Sequence, residues 1–329
     1  MNNQLITKKQ LPAAGIAIVA FVLLPILFMA LKFSYGILIC CLIQIYIIAV
    51  SGLDIVFGYS GQISIGHAAF YAIGAYCSGM LHNYLGIPAL ISIVLGAIVS
   101  ALIGALLAYP ASKLVFHFLA LATIAFGEIV YQLITHSPGG ITGDFRGLFS
   151  DSINLFGFKL NTNMRFYYFG LVCVVLFLII KQSLVKSKVG RAFIAIRENT
   201  HAADGMGIDV RKYKVLAFSS SAFFTAFAGG LYMHFALYLS PETFVQKQSI
   251  LFITMLLFGG TASALGPVVG VVAVMVLTEM LRSFQDYQML IYGILMLIVI
   301  VGIPGGLYGA FRDIKKLPLR KPKRRGAED

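Results

Sequence analysis

Charge is what this chain has least of. Only 12% of its 329 residues are Asp, Glu, Lys or Arg, against 59% hydrophobic residues and a mean hydropathy of +0.89. So little polar surface cannot coat a water-soluble globule, which excludes a soluble domain and makes the bilayer the implied solvent. Alternating segments of about ten residues are lacking too, which excludes a transmembrane β-barrel. Motifs of membrane-enzyme chemistry are missing: there is no HExxH, no GxSxG and no paired-carboxylate arrangement, and His82, His117, His136 and His234 show no metal spacing. Cysteine is sparse. Cys40, Cys41, Cys77 and Cys173 lie in apolar stretches without metal or redox spacing and read as small hydrophobes.

What is present is a series of apolar runs near twenty residues long, the signature of an all-α polytopic membrane protein. About ten crossings are predicted, centred near Val22, Tyr46, Ala72, Gly96, Phe126, Val174, Thr225, Leu256, Val274 and Met296. The run from Leu11 to Leu31 exceeds a signal-peptide core and reads as a retained first span. With the N-terminus in the cytoplasm, 19 of the 25 Lys and Arg residues fall inside and six outside, as the positive-inside rule requires. An even number of crossings then places both termini in the cytoplasm. The predicted organisation is a cytoplasmic N-terminus over 1–10, a transmembrane domain over 11–312 and a basic tail over 313–329. A cytoplasmic loop spans 185–214 and an external loop 137–165. The tail's basic run fits orientation or anionic lipid rather than nucleic acid.

Glycine supplies the first candidate site. The stretch Gly58-Tyr-Ser-Gly-Gln-Ile-Ser-Ile-Gly-His67 concentrates Gly58, Gly61 and Gly66 in apolar surroundings, a density that breaks a helix. Irregular backbone at membrane depth is tolerated only against protein or a water-filled cavity, so this segment, with Ser64 and His67, is a candidate pathway lining. Close helix packing through small residues is the alternative for the glycines, and a hydrogen-bonded structural role for His67. A second cluster, with Gly266 and Gly270, is spaced for close helix contact.

Within the fifth span, Glu128, Tyr131, Gln132 and Thr135 share one helix face. A charged carboxylate at the bilayer centre costs roughly 2.5–3.5 kcal/mol on insertion scales, so Glu128 is expected to face protein or water rather than lipid. Pathway lining by Glu128 and Gln132, or structural buttressing, satisfies that demand. Near the ninth span, Glu279 and Arg282 read as a local ion pair, with Ser283 and Asp286 on the same face.

The loop from Lys181 to Lys214 holds eight basic residues and a mostly apolar helical stripe through Val189, Ala192, Phe193, Ile196, Thr200 and Ala203. Arg191, Glu198 and Ala202 face the other way. An amphipathic helix of this kind lies flat on a membrane or enters a partner's groove.

Several blocks together resemble the branched-chain amino acid ABC importer permeases of the LivM type, over about 51–306. They are Gly58-Tyr-Ser-Gly-Gln62 through Gly66-His-Ala-Ala-Phe70, Phe126-Gly-Glu-Ile-Val130, Gly190-Arg191 with Ala195-Ile-Arg-Glu198, Ser240-Pro-Glu-Thr-Phe244 and Pro304-Gly-Gly-Leu307. The resemblance implies a non-catalytic permease in the inner membrane of a prokaryote. It would work with a second permease subunit, two cytoplasmic ATPases and an extracytoplasmic substrate-binding protein. ATP and Mg would belong to the ATPases, in keeping with the lack of a GxxxxGK[ST] phosphate loop here. Arg191, Phe193, Ile196, Arg197, Glu198, Ala202, Ala203 and Gly205 fall on its ATPase-coupling segment. One departure stands out: where the family pattern is TGG-x-x-G, this chain reads Thr142-Gly-Asp-Phe-Arg-Gly147. Urea, short amides or aromatic acids are alternative cargoes, and a stand-alone secondary transporter or channel is the alternative from another class.

Overall fold

The structure, a computed structural model, describes residue 25, residues 34–112, 116–155 and 158–282, and a scatter of positions between 287 and 309. The expected first span, Lys113, Ser283, Asp286, the centre of the tenth span and the basic tail lie outside the described residues. Among the described residues, ten α-helices appear in order: α1 (Ser34–Asp54), α2 (His67–Leu85), α3 (Ala89–Ala111), α4 (Phe116–Thr135), α5 (Asn163–Lys186), α6 (Lys188–Glu198), α7 (Thr200–Gly205), α8 (Val210–Ala236), α9 (Gln246–Gly259) and α10 (Gly266–Met280). Four two-residue strands pair antiparallel, β1 (Leu148–Phe149) with β4 (Tyr238–Leu239), and β2 (Asn154–Leu155) with β3 (Phe158–Lys159).

Among the described residues, five helical stretches are long and apolar enough to cross a membrane: Tyr35–Tyr59, Ala89–Ala111, Phe118–Thr135, Asn163–Lys186 and Val210–Ala236. The crossings expected near Leu256 and Val274 correspond to α9 and α10, of 14 and 15 residues. At 1.5 Å per residue each falls short of the roughly 30 Å hydrocarbon core. The turn between them, at 260–265, ends the first helix and starts the second.

Two compact units divide at Ile253. In the first, α8 is central and packs along α1, α2 and α3. Its sequence explains why, since Ala217, Ala222, Ala226, Ala228, Gly229 and Gly230 are buried and let neighbouring backbones approach. A methyl on Gly74 of α2 would overlap the Ala226 carbonyl, and one on Gly229 would overlap that of Tyr71. On Gly52 of α1 it would lie 2.6 Å from Phe224 Cβ, and on Gly104 of α3 2.8 Å from Ala222 Cβ. Helices in a bilayer gain nothing from expelling water, so contacts this close, with hydrogen bonds such as Ser78 Oγ to His234 Nε2 (2.9 Å), supply the association.

In the second unit, the second glycine cluster makes the close contact its spacing predicts. Methyls on Gly259 and Gly270 would overlap the carbonyls of Gly266 and Met255. Ser263 Oγ donates to Gly260 O and accepts from Gly266 N, both at 2.9 Å, and so ties the turn to the start of α10. The Glu279–Arg282 pair forms at 3.5 Å on an exposed face.

The loop after α4 shows how the chain accommodates its departure from the glycine pattern. Asp144 adopts φ +49°, a left-handed conformation that glycine takes without cost. Its carboxylate compensates by accepting from Ser137 N (2.9 Å) and Ser137 Oγ (2.8 Å). These bonds hold the Asp144 carboxyl below the usual carboxylate range. A depressed folded pKa stabilises the loop above the unfolded value of about 3.9 and loses that contribution as pH falls through the folded value. Once corrected for the intrinsic pH dependence of exchange, amide protection in residues 137–147 should therefore be steady from pH 7 to 5 and fall below about pH 4. Protection already lost between about pH 7 and 5 would rule out the Asp144 carboxylate as its source.

Candidate functional site: a broken helix, a cavity and a helical hairpin

At the end of α1 the helix widens into one π-helical turn, Ile55–Tyr59, closed by Ser60 N donating to Ile55 O (3.1 Å) and Gln62 N to Val56 O (3.0 Å). Gly61 then takes φ +69° and the chain runs irregularly to Gly66, which starts α2. The backbone here has left its own ladder, and unpaired groups inside an apolar bundle are costly. Side chains from three other elements take up the released groups.

Thr123 Oγ1 of α4 accepts from Ile65 N (3.0 Å), Gln246 Nε2 of α9 donates to Ile65 O (3.0 Å), and Ser249 Oγ accepts from Ala68 N (2.9 Å). The Arg197 guanidinium of α6 donates to Gly58 O. His67, fully buried, bridges Ser64 Oγ (2.8 Å) and Ser221 Oγ of α8 (2.7 Å). Gly66 packs so closely on α4 that a methyl would overlap Thr123 O. Gly58, Ser64, Gly66 and His67 are thus buried within the protein wall. None of the four lines the cavity described next.

That cavity, of about 180 Å³, lies beside the break and is lined by Ala68, Gly127, Glu128, Tyr131, Phe244, Val245, Gln246 and Ser249. Glu128 faces it, and Gln132 Nε2 donates to the Glu128 carboxylate at 2.9 Å. Both side chains are exposed, with Glu128 at the cavity rim. Gln246 and Ser249 do double duty, bonding the broken segment and walling the cavity.

The loop between α5 and α8 folds as two short capped helices. Ser187 Oγ accepts from Val189 N and Gly190 N, Asn199 Oδ1 from His201 N and Ala202 N, and Asp209 Oδ1 from Lys212 N. Each is an N-cap that satisfies otherwise free helix donors. The apolar stripe expected to lie on a membrane or enter a partner is turned into the chain itself: Ala192, Phe193, Ile196 and Ala203 are buried, and Phe193 stands edge-on to Tyr213 at 6.4 Å. Periodicity identifies a buried face without saying what buries it. Arg191, Glu198, His201, Ala202, Asp204, Gly205 and Met206 form the exposed side.

The family model for the branched-chain amino acid transport system permease component matches residues 36–300, and so takes in the broken helix, the cavity and the hairpin. The chain belongs to this permease family. It is 33% identical over 302 residues to the high-affinity branched-chain amino acid transport permease LivM of Salmonella typhimurium, and equally to that of Escherichia coli. Those alignments cover 85% of this chain and 71% of each relative. A probable branched-chain amino acid transport permease LivM of Methanocaldococcus jannaschii is 24% identical over 310 residues, covering 80% of this chain and 89% of that one. No solved structure matches. The permease is thus a multi-pass membrane component of a transport system.

Sequence reasoning missed the most deeply buried charges among the described residues. Lys181 Nζ and Asp54 Oδ2 lie 2.7 Å apart at 2% and 0% exposure, with the ammonium 5.7 Å from the centre of the Tyr59 ring. Lys181 had been counted with the basic loop, although it follows the apolar run Leu176-Phe-Leu-Ile-Ile180 directly. Asp54 was the available signal, since an acid inside an apolar span calls for a partner. Lys181→Met leaves a buried carboxylate without its ammonium and should destabilise the detergent-solubilised permease by about 3–5 kcal/mol. Asp54→Leu combined with Lys181→Met should regain most of that loss. Unfolding curves that place the single variant level with the parent would rule this out.

Proposed function

We propose that the chain is one permease subunit of an ATP-driven importer for branched-chain amino acids in a prokaryotic inner membrane, with both termini cytoplasmic. A second, similar permease completes the pathway, two ATPases dock on the cytoplasmic face, and an extracytoplasmic binding protein delivers cargo. ATP and Mg act on the ATPases, and this chain's part is to form a wall that opens and closes.

The observation that carries this reading is the hairpin α6–α7. Its apolar side is spent on its own chain, yet its far side projects Glu198, His201, Asp204 and the 83% exposed Met206 around the turn. A rigid, capped hairpin with a polar face and one prominent apolar side chain suits docking to a soluble subunit better than burial in lipid. Arg191, Glu198, Ala202 and Gly205 belong to that docking face. Phe193, Ile196 and Ala203 hold the hairpin in place. The cavity beside Glu128 is the reading's substrate-facing surface, where the exposed carboxylate favours a cationic group such as an amino acid's ammonium.

Purified from its own host, the chain should carry an ATP-hydrolysing subunit. Proteoliposomes of the complex should accumulate leucine, isoleucine or valine only with ATP and the binding protein present. Ion-driven uptake by the chain alone would overturn the proposal. In the same assay Glu128→Leu should lower uptake about tenfold or more, the scale of one lost charge contact, without changing subunit composition. Undiminished uptake would remove Glu128 from the pathway.

A further inference from the structure

The hairpin and the broken helix meet at one side chain. Arg197 leaves the last turn of α6, lays its stem across Gly61 and places its guanidinium on the Gly58 carbonyl. A methyl on Gly61 would lie 2.9 Å from Arg197 Cγ and 3.3 Å from its Cβ, so the absent side chain is what admits the arginine stem. Gly61 also holds φ +69°, which a side chain would strain. After the bond from Gln62 N to Val56 O the widened turn makes no further rung among the described residues, and Gly58 O takes the guanidinium instead. Arg197 thus caps an open helix end from another element.

We propose that Arg197 is the positioning residue through which displacement of the α6–α7 hairpin reaches the broken segment and the cavity wall beyond it. The route onward is short. Ile65, seven residues past Gly58, bonds both Thr123 of α4 and Gln246, and Gln246 lines the cavity with Glu128. On the hairpin side, buried Phe193 and Ile196 make α6 move as one body with Arg197. A partner pushing on Glu198 or Met206 displaces the Arg197 backbone directly. The Gly58 carbonyl follows, because its bond is to that side chain and not to a helical ladder.

This role rests on the importer reading above, and the test separates the two. The complex is reconstituted with its ATPases and binding protein, and substrate moved per ATP hydrolysed is measured. Arg197→Met, which keeps the stem and removes the donors, should lower that ratio about tenfold, within the range of ordinary coupling energies. Arg197→Lys should restore part of it, because an ammonium can still reach one carbonyl. Gly61→Ala should give a similar loss by displacing the stem. Joining it to Arg197→Met should add little, since both remove one contact.

A parental ratio in Arg197→Met, or independent multiplying losses in the double variant, would overturn the role while leaving the importer reading standing. Loss of ATPase from the purified Arg197→Met complex would overturn it too, since the residue would then serve docking. If Arg197→Met does not fold, Gly61→Ala decides alone: full coupling in it refutes the link. An ATPase-free parent complex would bring down the importer reading itself, and this role with it.

Discussion

Everything near the candidate site depends on one constraint: a stretch of main chain between two apolar helices has left its helical ladder and must find partners elsewhere. In the hydrocarbon region each unpaired N–H or C=O costs several kcal/mol, so the break between α1 and α2 persists only if other elements supply partners. Thr123, Arg197, Gln246 and Ser249 do so from α4, α6 and α9, and Ser221 of α8 reaches the segment through His67. Their positions relative to one another are thereby fixed by the needs of about a dozen residues. The bundle is organised around its least regular part.

The same bonds make the segment movable in a way that a continuous helix is not. A helical ladder breaks cooperatively, rung upon rung. Here each backbone group is held by a separate side chain, and a net contribution near 1 kcal/mol per hydrogen bond can be exchanged one at a time. Glycine at 61 and 66 removes the bulk that would otherwise wedge the stem of Arg197 and the backbone of α4 away. A permease must alternate between states, and a joint of exchangeable polar contacts beside a cavity is a physically economical place for that change.

How much of this was legible follows from where each contact partner lies in the sequence. Clustered glycines between apolar runs announce a break because few other folds of that composition survive in lipid, and the polar face of α4 is visible by counting from Glu128 to Thr135. The partners of the break are not visible, because Thr123, Arg197 and Gln246 lie 58 to 181 residues from the groups they bond, and nothing local marks them. The stripe through Phe193 and Ile196 was legible as a buried face but not as a face buried against its own chain. Lys181 was misplaced because positive-inside counting treats every lysine near a helix end as topological. The short α9 was read as a crossing because hydropathy averages across the turn that ends it.

The buried Asp54–Lys181 pair shows why the break sits where it does. An ion pair at 2% and 0% exposure is weak support for stability, since an apolar pair of equal size would usually serve as well. What it does provide is register. Asp54 is the last residue of α1 before the widened turn and Lys181 lies in the last turns of α5 before the hairpin, so the pair locks together the two helices from which the break and the hairpin emerge. A one-residue slip of α1 would carry Asp54 about 100° round its helix, leave both charges stranded and shift Gly58 off Arg197. Slippage of leucine against leucine would cost far less. The charges sit next to the joint, where a small error in register would separate Gly58 from Arg197.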